Sequence, residues 1–158
     1  MIRKIIHKHL SNPEEFISGF AFLGEILTDL PFQGGIVIGK KPDDTIIDSI
    51  TGGPTPAYFS HFTAVNKELF RLTWNIATEI TGLGFGCAIV EPTVSEETIN
   101  GEIYRHTLRS PFLHKMTGTM AGLGWIGKTD LIITKQFGPM LPLASLLTDY
   151  PPENDQHQ

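Results

Sequence analysis

The chain has one cysteine in 158 residues, Cys87. A disulfide, a cysteine zinc site and an iron–sulfur cluster each need two or more thiolates, so these residues supply none of them. Cys87 lies in the apolar run Phe85–Val90, where a small buried hydrophobe is expected rather than a reactive thiol. Cationic excess is missing as well: 12 Lys and Arg face 17 Asp and Glu, for a net charge of −5. That balance advertises no broad basic face for a nucleic-acid backbone. No apolar run reaches the roughly 18 residues of a membrane span, and the opening MIRKIIHKHL lacks the apolar core of a signal peptide. A cytoplasmic protein without nucleic-acid or membrane partners is the expectation.

What is present is a globular composition, 41% hydrophobic and 18% charged, patterned as one α+β domain over residues 1–150 with a polar tail at 151–158. Ser11 or Asn12 followed by Pro13, Glu14 and Glu15 reads as a helix start. Phe16, Phe20, Leu23 and Leu27 then predict one helical face. Gly35–Gly39 (GIVIG) predicts a buried strand. Residues 40–57 predict a loop with a short helix around Asp44–Ile50. Tyr58, Phe62, Val65, Leu69, Leu72, Ile76 and Ile80 recur at intervals of three and four, predicting a long helix that ends near Gly82 and Gly84, with Lys67, Arg71 and Asn75 opposite. Ala88–Val90 predicts a second buried strand, and Thr93–Arg109 a surface loop or hairpin. Ser110–Pro111 opens a helix running towards Met120 and Gly122. Leu131–Thr134 and Leu141–Thr148 predict further strands, with an edge or bulge where Pro142 removes a donor.

The stretch AGLGWIGKTDLIIT, Ala121–Thr134, carries the chemistry. Its letters satisfy both G-x-G-x-x-G and G-x-x-x-x-G-K-T. Both phosphate motifs need a strand before the glycines and a helix after them. Here a helix arrives at Gly122 and a strand leaves from Leu131, so neither reading holds. Gly122 is instead expected in the left-handed region as a helix C′ residue, with Gly124 and Gly127 permitting a tight return. From spacing alone, the loop serves equally as a bare turn or as a cradle of amides and one cation for an anion or a polar cofactor edge. Elsewhere, Asn66 is expected to fix a loop, Asp149 to cap or form a salt bridge, and His7, His9 and His157 to be incidental. No set of His, Asp and Glu has metal-ligand spacing.

The segment His114–Asp149, HKMTGTMAGLGWIGKTDLIITKQFGPMLPLASLLTD, resembles the epoxyqueuosine reductase family. GLGWIGK with a downstream LTD carries the resemblance, and the ordered upstream elements agree with it over roughly residues 30–150. The resemblance implies a nitroreductase-like, corrinoid-binding domain with cobalamin as cofactor. It implies that Gly122, Leu123, Gly124, Trp125, Ile126, Gly127 and Lys128 line that cofactor, with His114 facing it from the preceding helix or satisfying a local group. Electrons in such proteins come from two [4Fe–4S] clusters in a following domain. Here the chain stops nine residues after Asp149, so a separate ferredoxin-like protein is expected to supply them, and the uncovered faces make a homodimer an expectation. Gly138–Leu143 lacks the two arginines usual after the glycine–proline turn. Val90–Thr93 lacks the family's catalytic aspartate and leaves Glu91 as a stand-in acid. The alternatives are a non-catalytic interaction module without cofactor, and an FMN-binding nitroreductase relative.

Overall fold

The computed structural model describes residues 1–26, 28, 31–90 and 114–151. Its elements in chain order are α1 (Ile2–His9), β1 (Phe16–Phe22), β2 (Gly34–Lys40), α2 (Asp44–Asp48), α3 (Pro56–Gly82), β3 (Cys87–Val90), α4 (His114–Met120), β4 (Gly124–Ile126), β5 (Ile132–Thr134) and β6 (Leu143–Thr148). Four strands form an antiparallel sheet in the order β1-β2-β6-β3. β4 and β5 pair separately as a short antiparallel hairpin. The mixed α+β class read from the sequence holds.

β2 and β6 occupy the middle of the sheet and are buried almost throughout. Their side chains alternate between two cores, as a pleated strand requires. Ile36, Ile38, Ala144 and Leu146 face Val65, Leu69, Leu72, Ile76 and Ile80 of α3 and the isoleucines of α1. Val37 and Leu143 face the opposite way, against Leu123, Ile132 and Leu141. Ala21, Leu23 and Leu147 continue that second side. Helices α1 and α3 therefore cover one face, while α4 and the small hairpin cover the other.

The long helix forms as its periodicity predicts. Thr55 caps it by accepting from the Tyr58 amide at 3.1 Å, with Pro56 in the first turn. α2 forms within the predicted loop, its start capped by the Asp43 carboxylate. β6 begins after Pro142, two residues later than the predicted strand, so the proline sits outside the ladder and its carbonyl accepts from Lys40. The predicted start at Ser110 lies outside the described residues, but α4 runs to Met120 as expected.

One secondary-structure prediction fails. Phe16–Phe22 is a strand, not a helix. The start signals are real: Asn12 Oδ1 accepts from the Glu14 amide, and the amides of Glu15 and Phe16 return to the Asn12 carbonyl. That single turn stops because residues 16–22 pair along their whole length with residues 40–34. A spacing of four is even, so Phe16 and Phe20 share a face in a strand as well as in a helix. Both pack on the α3 side.

α1 is an amphipathic helix whose Ile2, Ile5, Ile6 and Leu10 are buried. Lys8 Nζ and His9 Nε2 reach Glu79 Oε2 on α3 at 3.0 and 2.9 Å, so His9 is engaged rather than incidental. Hydrogen bonds from Lys8 and then His9 hold the Glu79 carboxyl below its ordinary range. No described helix is long and apolar enough to cross a membrane.

Two outcomes follow from this packing. Ile76 is fully buried, and Ile76→Ala lowers unfolding stability by ~2–5 kcal/mol in urea titration. A depressed folded-state pKa stabilises the fold above the unfolded value and is lost as pH falls through the folded one. The stability gap between the native chain and Glu79→Gln therefore narrows as pH drops through the carboxylate range, as measured by thermal melts in a pH series.

Candidate functional site

The segment from α4 to β5 assembles from the sheet outwards. His114 at the start of α4 is half-buried, and its Nδ1 lies 2.9 Å from Oγ of Ser145, a wholly buried residue of β6. The helix is thereby pinned to the middle of the sheet by a side-chain hydroxyl rather than a local carbonyl. α4 ends as its sequence predicts. Gly122 adopts φ +76, a left-handed conformation that costs a Cβ-bearing residue about 1 kcal/mol. The Leu123 amide returns to the Gly118 carbonyl and the Gly122 amide to Thr119, closing the helix end.

From there the chain enters β4 and turns back through β5. The expected tight return is thus a regular hairpin. Gly124 is dictated by it: a Cβ at this position would sit 2.0 Å from the Ile133 carbonyl oxygen and 2.8 Å from the Thr134 Cα. Both neighbours are backbone, so no rotamer change relieves the clash. Across the tip the Gly127 amide donates to the Leu131 carbonyl, and Asp130 stands at φ +61 with its amide on the Gly127 carbonyl. Lys115 on α4 donates to the Asp130 carbonyl at 2.9 Å and pairs with its carboxylate, fastening hairpin to helix.

This geometry divides the seven residues of the glycine loop. Leu123 is buried with Val37, Ile132, Leu141 and Leu143, and both its backbone groups are bonded within the chain. Its role is core. Gly122, Gly124 and Gly127 shape the backbone. Trp125 and Ile126, on opposite faces of β4, are 51% and 42% exposed, and Leu131 and Met120 are exposed as well. Lys128 is exposed and forms no ion pair or hydrogen bond among the described residues. The amides of Lys128 and Thr129 likewise donate to no group among the described residues. What the hairpin offers a ligand is exposed apolar side chains, one ammonium and two free N–H donors.

The remaining candidates lie apart from it. Glu91 falls outside the described residues. Cys87, on β3, is half-buried against the α3-side core, and burial pushes its thiol above the ordinary range. Among the described residues Asp149 neither pairs with a cation nor caps a helix: its Oδ1 accepts from the Gly86 amide at 2.7 Å. Thr148 adds a hydroxyl donor to the Gly86 carbonyl at 2.9 Å. Together they clamp the turn between α3 and β3 to the end of β6. Asn66 holds no loop among the described residues.

Thr117 is an oversight of the sequence reading. It is wholly buried on α4, and its hydroxyl has no hydrogen-bond partner among the described residues. An unpaired hydroxyl of this kind costs about 1–3 kcal/mol. The M-T-G-T-M spacing, which puts Thr117 on the sheet-facing side with His114 and Ala121, was the available signal.

Gly124→Val and Lys128→Ala separate backbone from ligand roles. Gly124→Val lowers the melting temperature and erases the hairpin's cross-strand contacts in NMR spectra. Lys128→Ala leaves both unchanged, because its side chain supports nothing in the fold.

No family model matches the chain. The chain is similar to the epoxyqueuosine reductase of Pseudomonas aeruginosa, 28% identical over an alignment of 117 residues that covers 70% of this chain and 27% of that protein. It spans about a quarter of the length of the curated relative it matches, and the relationship is a distant one.

Proposed function

We propose that this chain is a corrinoid-binding domain of nitroreductase-like fold, the cofactor-holding part of a reductase. The observation that carries the reading is the α4–β4–β5 unit: exposed apolar side chains at Trp125 and Ile126, with unpaired donors following at Lys128 and Thr129. A corrinoid has the complementary make-up, an apolar macrocycle edged with amide and phosphate acceptors. The distant likeness to an epoxyqueuosine reductase supports the same assignment.

In this reading Trp125 covers apolar edge and excludes water from it. Lys128 meets a phosphate or amide oxygen as a mobile point charge. The amides of Lys128 and Thr129 add fixed donors that need no reorganisation. His114 is a positioning residue: held by Ser145, it sets where α4 begins and so where the hairpin stands. Leu123 contributes only as the core residue beneath. A bound corrinoid would supply the redox chemistry of its cobalt, and the protein would supply binding and orientation. With one cysteine, these residues hold no iron–sulfur cluster, so in this reading the electrons arrive from clusters held outside them.

Titration with hydroxocobalamin, followed by absorbance and calorimetry, tests this. The expected result is saturable binding with a base-off spectrum, weakened about tenfold (~1.4 kcal/mol) by Lys128→Ala and further by Trp125→Ala. A parallel titration with FMN that saturates instead assigns the same donors to a flavin phosphate. Absence of binding by both at high micromolar concentration removes the cofactor role altogether.

A further inference from the structure

The outer face of α3 carries a pattern that neither the fold nor the proposed cofactor site uses. The buried face of this 27-residue helix centres on Val65, Leu69, Leu72 and Ile76. At about 100° per residue, Trp74 points the opposite way, and Phe59, Lys67, Phe70 and Arg71 fall within roughly 60° of it. An amphipathic helix should be polar there. Instead Phe59, Phe70 and Trp74 are 71%, 36% and 58% exposed. Phe70 and Trp74, one turn apart, form a single exposed aromatic patch, while Phe59 lies about 16 Å further along the helix. Beside Trp74 the stripe opens into an apolar cavity of about 410 Å³, walled on its far side by Cys87 and Ile89 of β3. β3 is the last strand of the described sheet, so the cavity lies along a sheet edge.

Charge narrows what fits this surface. Lys67 and Arg71 are exposed, and neither pairs with a carboxylate among the described residues. The carboxylates that α3 carries nearest to the stripe are spent elsewhere: Glu68 on Lys40, and Glu79 on Lys8 and His9. In a chain of net charge −5, this stripe is thus locally positive. A second copy packed here would gather four cations with no anion between them. We propose that the outer face of α3 is a docking surface for an acidic, amphipathic segment of a partner protein. Its apolar side chains would cover Phe70 and Trp74 and enter the cavity at β3, and its carboxylates would meet Lys67 and Arg71. This is helix-in-groove recognition with electrostatic selection. The surface lies across the sheet from the hairpin, so its occupancy does not depend on the corrinoid reading.

The chain has two tryptophans, and Trp125→Phe leaves Trp74 as the sole fluorophore. Two synthetic helical peptides serve as probes, with identical leucine positions and either glutamate or lysine at every other site. The glutamate peptide should shift Trp74 emission to the blue and bind about tenfold more tightly than the lysine peptide at low salt. Lys67→Glu with Arg71→Glu should reverse that preference, while circular dichroism shows an unchanged fold. Equal affinity for the two peptides, or binding of neither, overturns the proposal. So does a single-stranded oligonucleotide that binds Trp74 more tightly than the glutamate peptide, or a dimer in sedimentation that Trp74→Ala dissolves.

Discussion

Everything in this structure depends on two strands being covered on both faces. β2 and β6 have no solvent side, so each residue along them is committed to one of two cores. The α3 side takes large aliphatics and carries much of the burial. The α4 side is shallower and includes a buried hydroxyl, Ser145, where the other side has none in the same strand segment save Thr148 at its end. That hydroxyl anchors His114, and the anchor fixes α4. From α4 follow the left-handed exit at Gly122, the hairpin, and the direction in which Trp125 and Lys128 face. The candidate site is a consequence of how the second face is packed.

The glycines of the loop acquire a different meaning in that light. Their density suggests a ligand cradle, yet each serves the turn and the hairpin. Gly124 is bound to its place by its own partner strand, and any ligand role passes to the side chains and amides beyond it. A glycine-rich signature and a binding site can coincide without the glycines touching the ligand. Here the glycines create the geometry, and in the proposed reading Trp125, Lys128 and Thr129 present the chemistry.

Much of the fold is legible in the residues. The three-and-four spacing from Tyr58 to Ile80 is long enough to exclude a strand, and GIVIG is too short and too β-branched for a helix. Phe16–Phe22 is misread because its aromatic spacing is even and its start resembles a helix cap. Long-range pairing with β2 decides it, and no local signal encodes that pairing. α1 passes unnoticed although Ile2, Ile5 and Ile6 mark a helical face, since its partner is α3, far along the chain. The candidate loop is legible as a helix end followed by a turn, but its packing is not. Sequence locates the loop, whereas only the packing shows that Leu123 is core, that His114 is anchored inwards, and that Phe70 and Trp74 emerge on the outer side of α3. Exposure of an aromatic depends on which helical face meets the sheet, and the apolar stripe of α3 is continuous enough to hide that choice.

The central claim is that the hairpin tip, not the glycine backbone, meets the ligand. Amide-resolved NMR of the isotopically labelled chain during addition of hydroxocobalamin tests it most directly. The account predicts that the amides of Lys128 and Thr129 and the indole of Trp125 shift first and together, while Leu123 and the amides of β2 and β6 hold still. Shifts confined to other surfaces, or spectra that do not change at all, would contradict it.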